Sequence, residues 1–177
     1  CCDRHDVMLV IDEVQTGLGR TGSLFACEQE GVVPDVLTLA KALGGGLVPI
    51  GAVLSNARCF SEEFALRHSS TFAGNALAAL VGLRSLHLLT RDDRALVRHV
   101  ASCGDELAAG LAGLRARFPA LVKDVRGRGY MHGVELTDDH GAFGRQGILA
   151  SMAAQGTLAY LLCSHLLHVE GVRIAPA

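Results

Sequence analysis

An acid and an amine each stand at the end of an apolar run in this chain. Val7-Met8-Leu9-Val10-Ile11 leads into Asp12 and Glu13, and Val36-Leu37-Thr38-Leu39-Ala40 leads into Lys41. A lysine can form an imine with an aldehyde, and a carboxylate can keep a pyridine nitrogen protonated. Together they are what a protein needs to hold pyridoxal phosphate. Taken singly, each residue has a plainer reading. Asp12 could cap a turn, and Lys41 could be a surface lysine whose stem lies along apolar neighbours. Their settings favour chemistry. Gln15-Thr16-Gly17-Leu18-Gly19-Arg20-Thr21-Gly22 follows Asp12, with glycines that permit tight turns and close backbone approach to a ligand. Gly44-Gly45-Gly46 follows Lys41. Burial and nearby positive charge would make Lys41 a usable nucleophile and proton carrier.

The elements that must position this pair can be read from hydrophobic pattern. Val7 to Ile11 is continuous and rich in β-branched residues, which suits a strand covered on both faces, as in a parallel sheet. Asp12 then sits at a carboxyl end, where open α/β sheets bind ligands. Pro34 to Ala40 is a second strand signal, and Pro49 to Leu54 a further apolar segment. Ala76 to Leu86 is apolar on nearly every side and reads as a buried helix. Leu96, Val100, Leu107, Leu111, Leu114 and Phe118 then recur at helical spacing, with Asp92 or Asp93 near the start and Pro119 beyond the end. Val122 to Val125 and Met131 to Leu136 read as strands around Arg126-Gly127-Arg128-Gly129, whose glycines suit a turn or bulge of positive φ. Residues 138–147 read as a polar loop. Leu158 to His168 is strongly apolar, and periodicity leaves helix or strand open.

With these residues in view, the chain resembles the class III aminotransferases of the ornithine and acetylornithine type, which are fold-type I pyridoxal-phosphate enzymes. The resemblance is carried by "LVIDEVQTGLGRTGSLFACEQEGVVPDVLTLAKALGGGLVPIGAV" from Leu9 to Val53, "HSSTFAGNALA" from His68 to Ala78, and "GVRIAPA" from Gly171 to Ala177. The "FACEQE" and "AKALGGGLVPIGA" strings are most similar to putrescine (diamine) aminotransferases within the class. The resemblance implies an α/β fold: the later part of the large cofactor domain over 1–90, a linking helix over 91–118, and a small C-terminal α+β domain over 119–177. It also implies roles. Lys41 forms the internal aldimine and moves the proton. Asp12 pairs with the pyridine nitrogen, and Gln15 lies near the cofactor's phenolic oxygen. Thr71 binds the cofactor phosphate of the neighbouring subunit. Arg173 binds the substrate carboxylate, where a bidentate fork is natural for arginine. The family usually continues Pro-Pro-Leu after this arginine's spacer, whereas this chain reads Pro176-Ala177.

Plain alternatives stand beside the implied roles: a turn residue for Gln15, a helix cap for Thr71, a solvated strand residue for Arg173. His68 reads as a surface or loop histidine rather than an acid–base group. The upstream phosphate loop, ring-stacking aromatic and gating acid of the family have no counterpart here, so the chain is expected to be a fragment. An exposed apolar surface is expected with that. The implied reaction moves an amino group from an ω-amine donor (a diamine, ornithine or acetylornithine type) to a 2-oxo acid, in a homodimer or higher homo-oligomer. Decarboxylation or aminomutase chemistry on the same scaffold is the alternative, as is an inactive fragment.

Composition bounds the remaining classes. The 177 residues are 50% hydrophobic and only 19% charged, enough for a core, and the net charge of −2 argues against a nucleic-acid or membrane-surface role. No apolar stretch is long and uninterrupted enough to span a bilayer. Six cysteines without a C-x-x-C pair suit reduced thiols in a cytoplasmic protein better than a disulfide framework. His165 and His168 lack carboxylate or thiol partners, so no metal is expected.

Overall fold

A computed structural model describes residues 1–67, 70–137 and 147–176. His68 and nearly all of the expected polar loop lie outside them. The described chain falls into two compact units, Cys1–Ala108 with Gly127–His132, and Ala109–Arg126 with Gly133–Ala177.

The first unit is organised by a three-stranded sheet in the order β1-β2-β3: Val10–Asp12, Val36–Leu39 and Ala52–Ser55. β1 and β2 run parallel, with Val10 opposite Val36 and Asp12 opposite Thr38. β3 returns antiparallel to β2, pairing Thr38 with Val53 and Leu39 with Ala52. The sheet is therefore mixed. The core forms where β2 alternation sends Leu37 and Leu39 inward to meet Leu18 and Leu43, with Ile11, Ile50, Leu86 and Leu89 against them.

The expectation of a first strand covered on both faces is not met. β1 is short and forms the edge of the sheet, and Val7, Met8 and Val10 are more than half exposed. An edge strand carries a ladder on one side only, so its flanking residues lose cover there.

After β3 come a short helix α1, Glu62–Arg67, and the long helical run α2, Ala76–Arg117. α2 is two helices joined at a kink. Arg91 is extended, and Asp92, Asp93 and Arg94 all take left-handed backbone. Aspartate tolerates that conformation better than most residues. Asn75 caps the first helix, its Oδ1 accepting the Ala78 N–H at 2.9 Å. The cap is thus Asn75 and not Thr71. The first helix is not buried as expected. Gly82 packs toward Ile50 and Leu43, but Leu77, Leu80 and Leu83 are each more than 60% exposed. A helix apolar on all sides can lay only one of them on a single small sheet.

Strands β4, Val122–Arg128, and β5, Met131–Leu136, form a hairpin. Its tip belongs to the first unit. Gly129 is left-handed at φ 55, and a Cβ there would lie 2.5 Å from the Thr21 carbonyl carbon. The Tyr130 N–H donates to the Arg20 carbonyl at 2.9 Å. A Cβ on Gly104 of α2 would in turn fall 2.4 Å from the Gly129 Cα. Helix, hairpin tip and the Gly17–Gly22 loop therefore meet backbone to backbone, which glycine alone allows.

In the second unit the hairpin carries an exposed charge network. Arg126 lies 2.7 Å from Glu135 and 3.0 Å from Asp124, and Lys123 lies 3.0 Å from Glu135. Helices α3, Ile148–Ala154, and α4, Leu158–His168, follow, which settles the ambiguous apolar segment as helix.

Candidate active site

Because β1 and β2 are parallel, their carboxyl ends share one edge, and that edge carries both Asp12 and Lys41. Asp12 is the last residue of β1. Its Oδ1 accepts the Thr38 hydroxyl and the Val14 N–H, each at 2.9 Å. These two donors, the backbone one foremost, hold the Asp12 carboxyl below the ordinary carboxylate range, with the charge of Lys41 adding to the effect.

Lys41 opens a short 3-10 helix, Lys41–Gly44, directly beyond β2. Its φ of +45 is a left-handed backbone on a residue with a long side chain, one that surrounding structure must impose. Leu39 before it and Leu43 after it are both buried in the core. The chain turns sharply between those anchors and leaves Lys41 outside, so it is exposed rather than buried as expected. The charged neighbour is also of the opposite sign to the one expected: the carboxylate of Asp12.

Asp12 and Glu13 are adjacent, and strand alternation sends them opposite ways. Asp12 is exposed, whereas Glu13 is 1% exposed, the largest fully buried side chain among the described residues. Glu13 Oε2 accepts the Thr16 hydroxyl at 2.5 Å and Oε1 accepts the Cys27 N–H at 2.8 Å. Its backbone carbonyl accepts the Gly17 N–H at 3.0 Å. The turn over residues 13–17 is thereby closed twice, and Gln15 rides on it, exposed. Burial, and then Glu13 beside it, pushes the Cys27 thiol up and keeps it protonated.

Thr71 is exposed in a turn before α2, and Arg173 is exposed in the coil after α4. Neither side chain bonds to another described residue. Thr71 belongs to the first unit and Arg173 to the second. The sheet thus brings Asp12 and Lys41 to one edge, and Gln15 lies on the turn that follows Asp12.

Sequence reading missed two residues here. Thr38 carries a signal only in hindsight, as the one hydroxyl in an apolar strand. Glu13 was findable, since a residue next to a site-facing Asp12 must point into the interior. An ionised carboxylate beside a primary amine at the carboxyl end of a parallel pair is a donor set that fits pyridoxal phosphate. Among the described residues, no group of three or more His, Cys, Asp and Glu side chains is placed to hold a metal.

Comparison with known proteins gives the family. The family model for class III aminotransferases matches residues 1–177. The mitochondrial ornithine aminotransferase of Oryza sativa subsp. japonica is 41% identical over 138 residues, 78% of this chain and 29% of the rice protein. The acetylornithine aminotransferase of Elizabethkingia anophelis superposes with a TM-score of 0.72 at 33% identity, covering 93% of this chain and 37% of that one. The ornithine aminotransferase of Toxoplasma gondii, solved with partial pyridoxal phosphate at its active site, gives 0.69 at 38% identity over 78% of this chain and 32% of its own. The chain therefore spans about a third of the length of these relatives. It belongs to the class III aminotransferase family and carries part of its fold-type I α/β architecture.

Proposed function

We propose that the protein containing this chain is a pyridoxal-phosphate-dependent aminotransferase that moves an amino group from an ω-amine donor, of diamine, ornithine or acetylornithine type, to a 2-oxo acid. The observation that carries this is the shared strand edge where Asp12, held ionised, feels the charge of Lys41. The names of the relatives support the donor class.

Pyridoxal phosphate, when bound, supplies a pyridinium that withdraws the electron pair freed when a substrate proton leaves. Asp12 would pair with its ring nitrogen and keep the proton there. Lys41 Nζ would hold the cofactor covalently, yield to the donor amine, and then take and return the proton. Gln15, on the turn closed by Glu13, would contact the phenolic oxygen. Thr71 would hold the phosphate from the neighbouring subunit of a homodimer or larger homo-oligomer. Arg173 would recognise the carboxylate of the acid. The domain division proposed with this function puts residues 1–90 in the cofactor domain, 91–118 in a link and 119–177 in the small domain.

All six cysteines are free, which suits the reduced thiols of a cytoplasmic setting. Among the described residues no helix is long and apolar enough to cross a membrane. The test is an assay of the full-length protein with putrescine, ornithine and acetylornithine against 2-oxoglutarate, following glutamate and carbon dioxide together. Glutamate formed in step with donor loss is the expected result. Carbon dioxide release without glutamate would replace amino transfer with decarboxylation.

A further inference from the structure

We propose that Thr38 is a positioning residue for Asp12: its hydroxyl and the Val14 N–H together hold Oδ1, leaving Oδ2 as the oxygen offered to a cationic ring nitrogen. This rests on the pyridoxal-phosphate reading above and adds a residue that the reading does not contain.

Register and valence assign the Thr38 hydroxyl to Asp12. Thr38 lies directly opposite Asp12 in the parallel pair and opposite Val53 in the antiparallel one. Residues so paired share a face of the sheet. Val53 has no polar side-chain atom, so Asp12 is the only register partner able to accept the Thr38 hydroxyl proton. A threonine has one such proton, and the Thr38 hydroxyl donates it to Asp12 Oδ1, oxygen to oxygen at 2.9 Å. The Val14 N–H reaches the same oxygen at 2.9 Å from two residues on, an Asx turn.

One hydrogen bond leaves a carboxylate free to pivot about its Cβ–Cγ bond. A second, arriving from a different strand, removes that freedom. No described residue donates to Oδ2. Among the described residues, the charged group that acts on Asp12 is Lys41, at the same strand edge. An exposed aspartate without these donors would rotate and hydrate, and would meet a ring nitrogen in one orientation among several. Thr38 fixes the orientation in advance, which is how preorganisation adds to affinity.

The experiment uses the full-length protein with pyridoxal phosphate as the probe. Its dissociation constant is measured by absorbance titration across a pH series in the wild type and in Thr38→Val, Thr38→Ala and Thr38→Ser. Borohydride labelling of Lys41 is scored in the same samples. Valine keeps the β-branched shape and alanine removes it, so two variants lack the hydroxyl by different routes. Both should bind pyridoxal phosphate about tenfold more weakly. Losing the hydroxyl removes a bond to the charged form of Asp12, so its carboxyl takes up a proton at higher pH. The acid-side loss of cofactor affinity should shift upward in pH with it. Thr38→Ser keeps the donor and should match the wild type in both. Wild-type affinity and an unmoved acid limb in Thr38→Val, with Lys41 labelled, would overturn the role of Thr38 alone. Equal losses in Thr38→Ser and Thr38→Val would also overturn it, since the hydroxyl would then not be the cause. Absence of label on Lys41 in the wild type would bring down the cofactor reading and this inference together.

Discussion

The strand edge that holds Asp12 and Lys41 differs sharply from the segments that hold Thr71 and Arg173. At the edge nearly every neighbour is tied down. Thr38 and Val14 hold Asp12, Glu13 closes the next turn and reaches Cys27, and buried Leu39 and Leu43 bracket Lys41. Thr71 and Arg173 stand exposed in coil and turn, with no side-chain bond to another described residue. The acid–amine half of the site is therefore assembled by sheet register within one unit. The phosphate- and carboxylate-binding roles proposed for the other two draw nothing from local bonding. Substitutions at the edge should thus act on chemistry and folding, and those at Thr71 and Arg173 on binding alone.

The largest effect falls on the amine. Lys41→Ala should lower amino transfer at least about a thousandfold, since it removes both the attachment point and the proton carrier. Glu13→Ala comes next and reads out in stability. It strips the acceptor from the half-buried Thr16 hydroxyl and Cys27 N–H, and should cost about 3 kcal/mol in urea unfolding. A midpoint unchanged from the wild type would break the picture of a tied edge. Arg173→Ala should raise KM for the 2-oxo acid about tenfold while moving stability by no more than about 0.5 kcal/mol. A large loss of stability there would erase the contrast.

The smallest effect is acid sensitivity. The Leu9 N–H, then the Asn56 amide, hold the Asp35 carboxyl below its ordinary value of 3.8, and the charge of Arg58 helps. A depressed carboxyl stabilises the fold above its unfolded value and stops doing so as pH falls through the folded one. Urea midpoints should therefore drop below pH 3.8, and less steeply in Asp35→Asn.

Much of the fold was legible because its signals are local. The apolar run before Lys41 became β2, and the Arg-Gly-Arg-Gly stretch became a hairpin tip with a left-handed Gly129. Asp92 and Asp93 marked the break between two helices. What escaped depends on tertiary context. A β-branched run cannot say that its strand will be an edge, so the exposure of Val7, Met8 and Val10 was hidden. An all-apolar helix cannot say how many of its faces meet a partner. Thr38 matters only because parallel register sets it beside Asp12, and no local pattern encodes register. The exposure of Lys41 follows from a left-handed turn between two buried leucines, which no propensity scale marks.

Lys41 is proposed as the amine that binds pyridoxal phosphate. Its most direct test is borohydride reduction of the full-length protein after addition of pyridoxal phosphate, with peptide mapping in the wild type and in Lys41→Ala. A single reduced label on Lys41, and none in the variant, is the expected result. A label on another lysine, or one that survives Lys41→Ala, would contradict it.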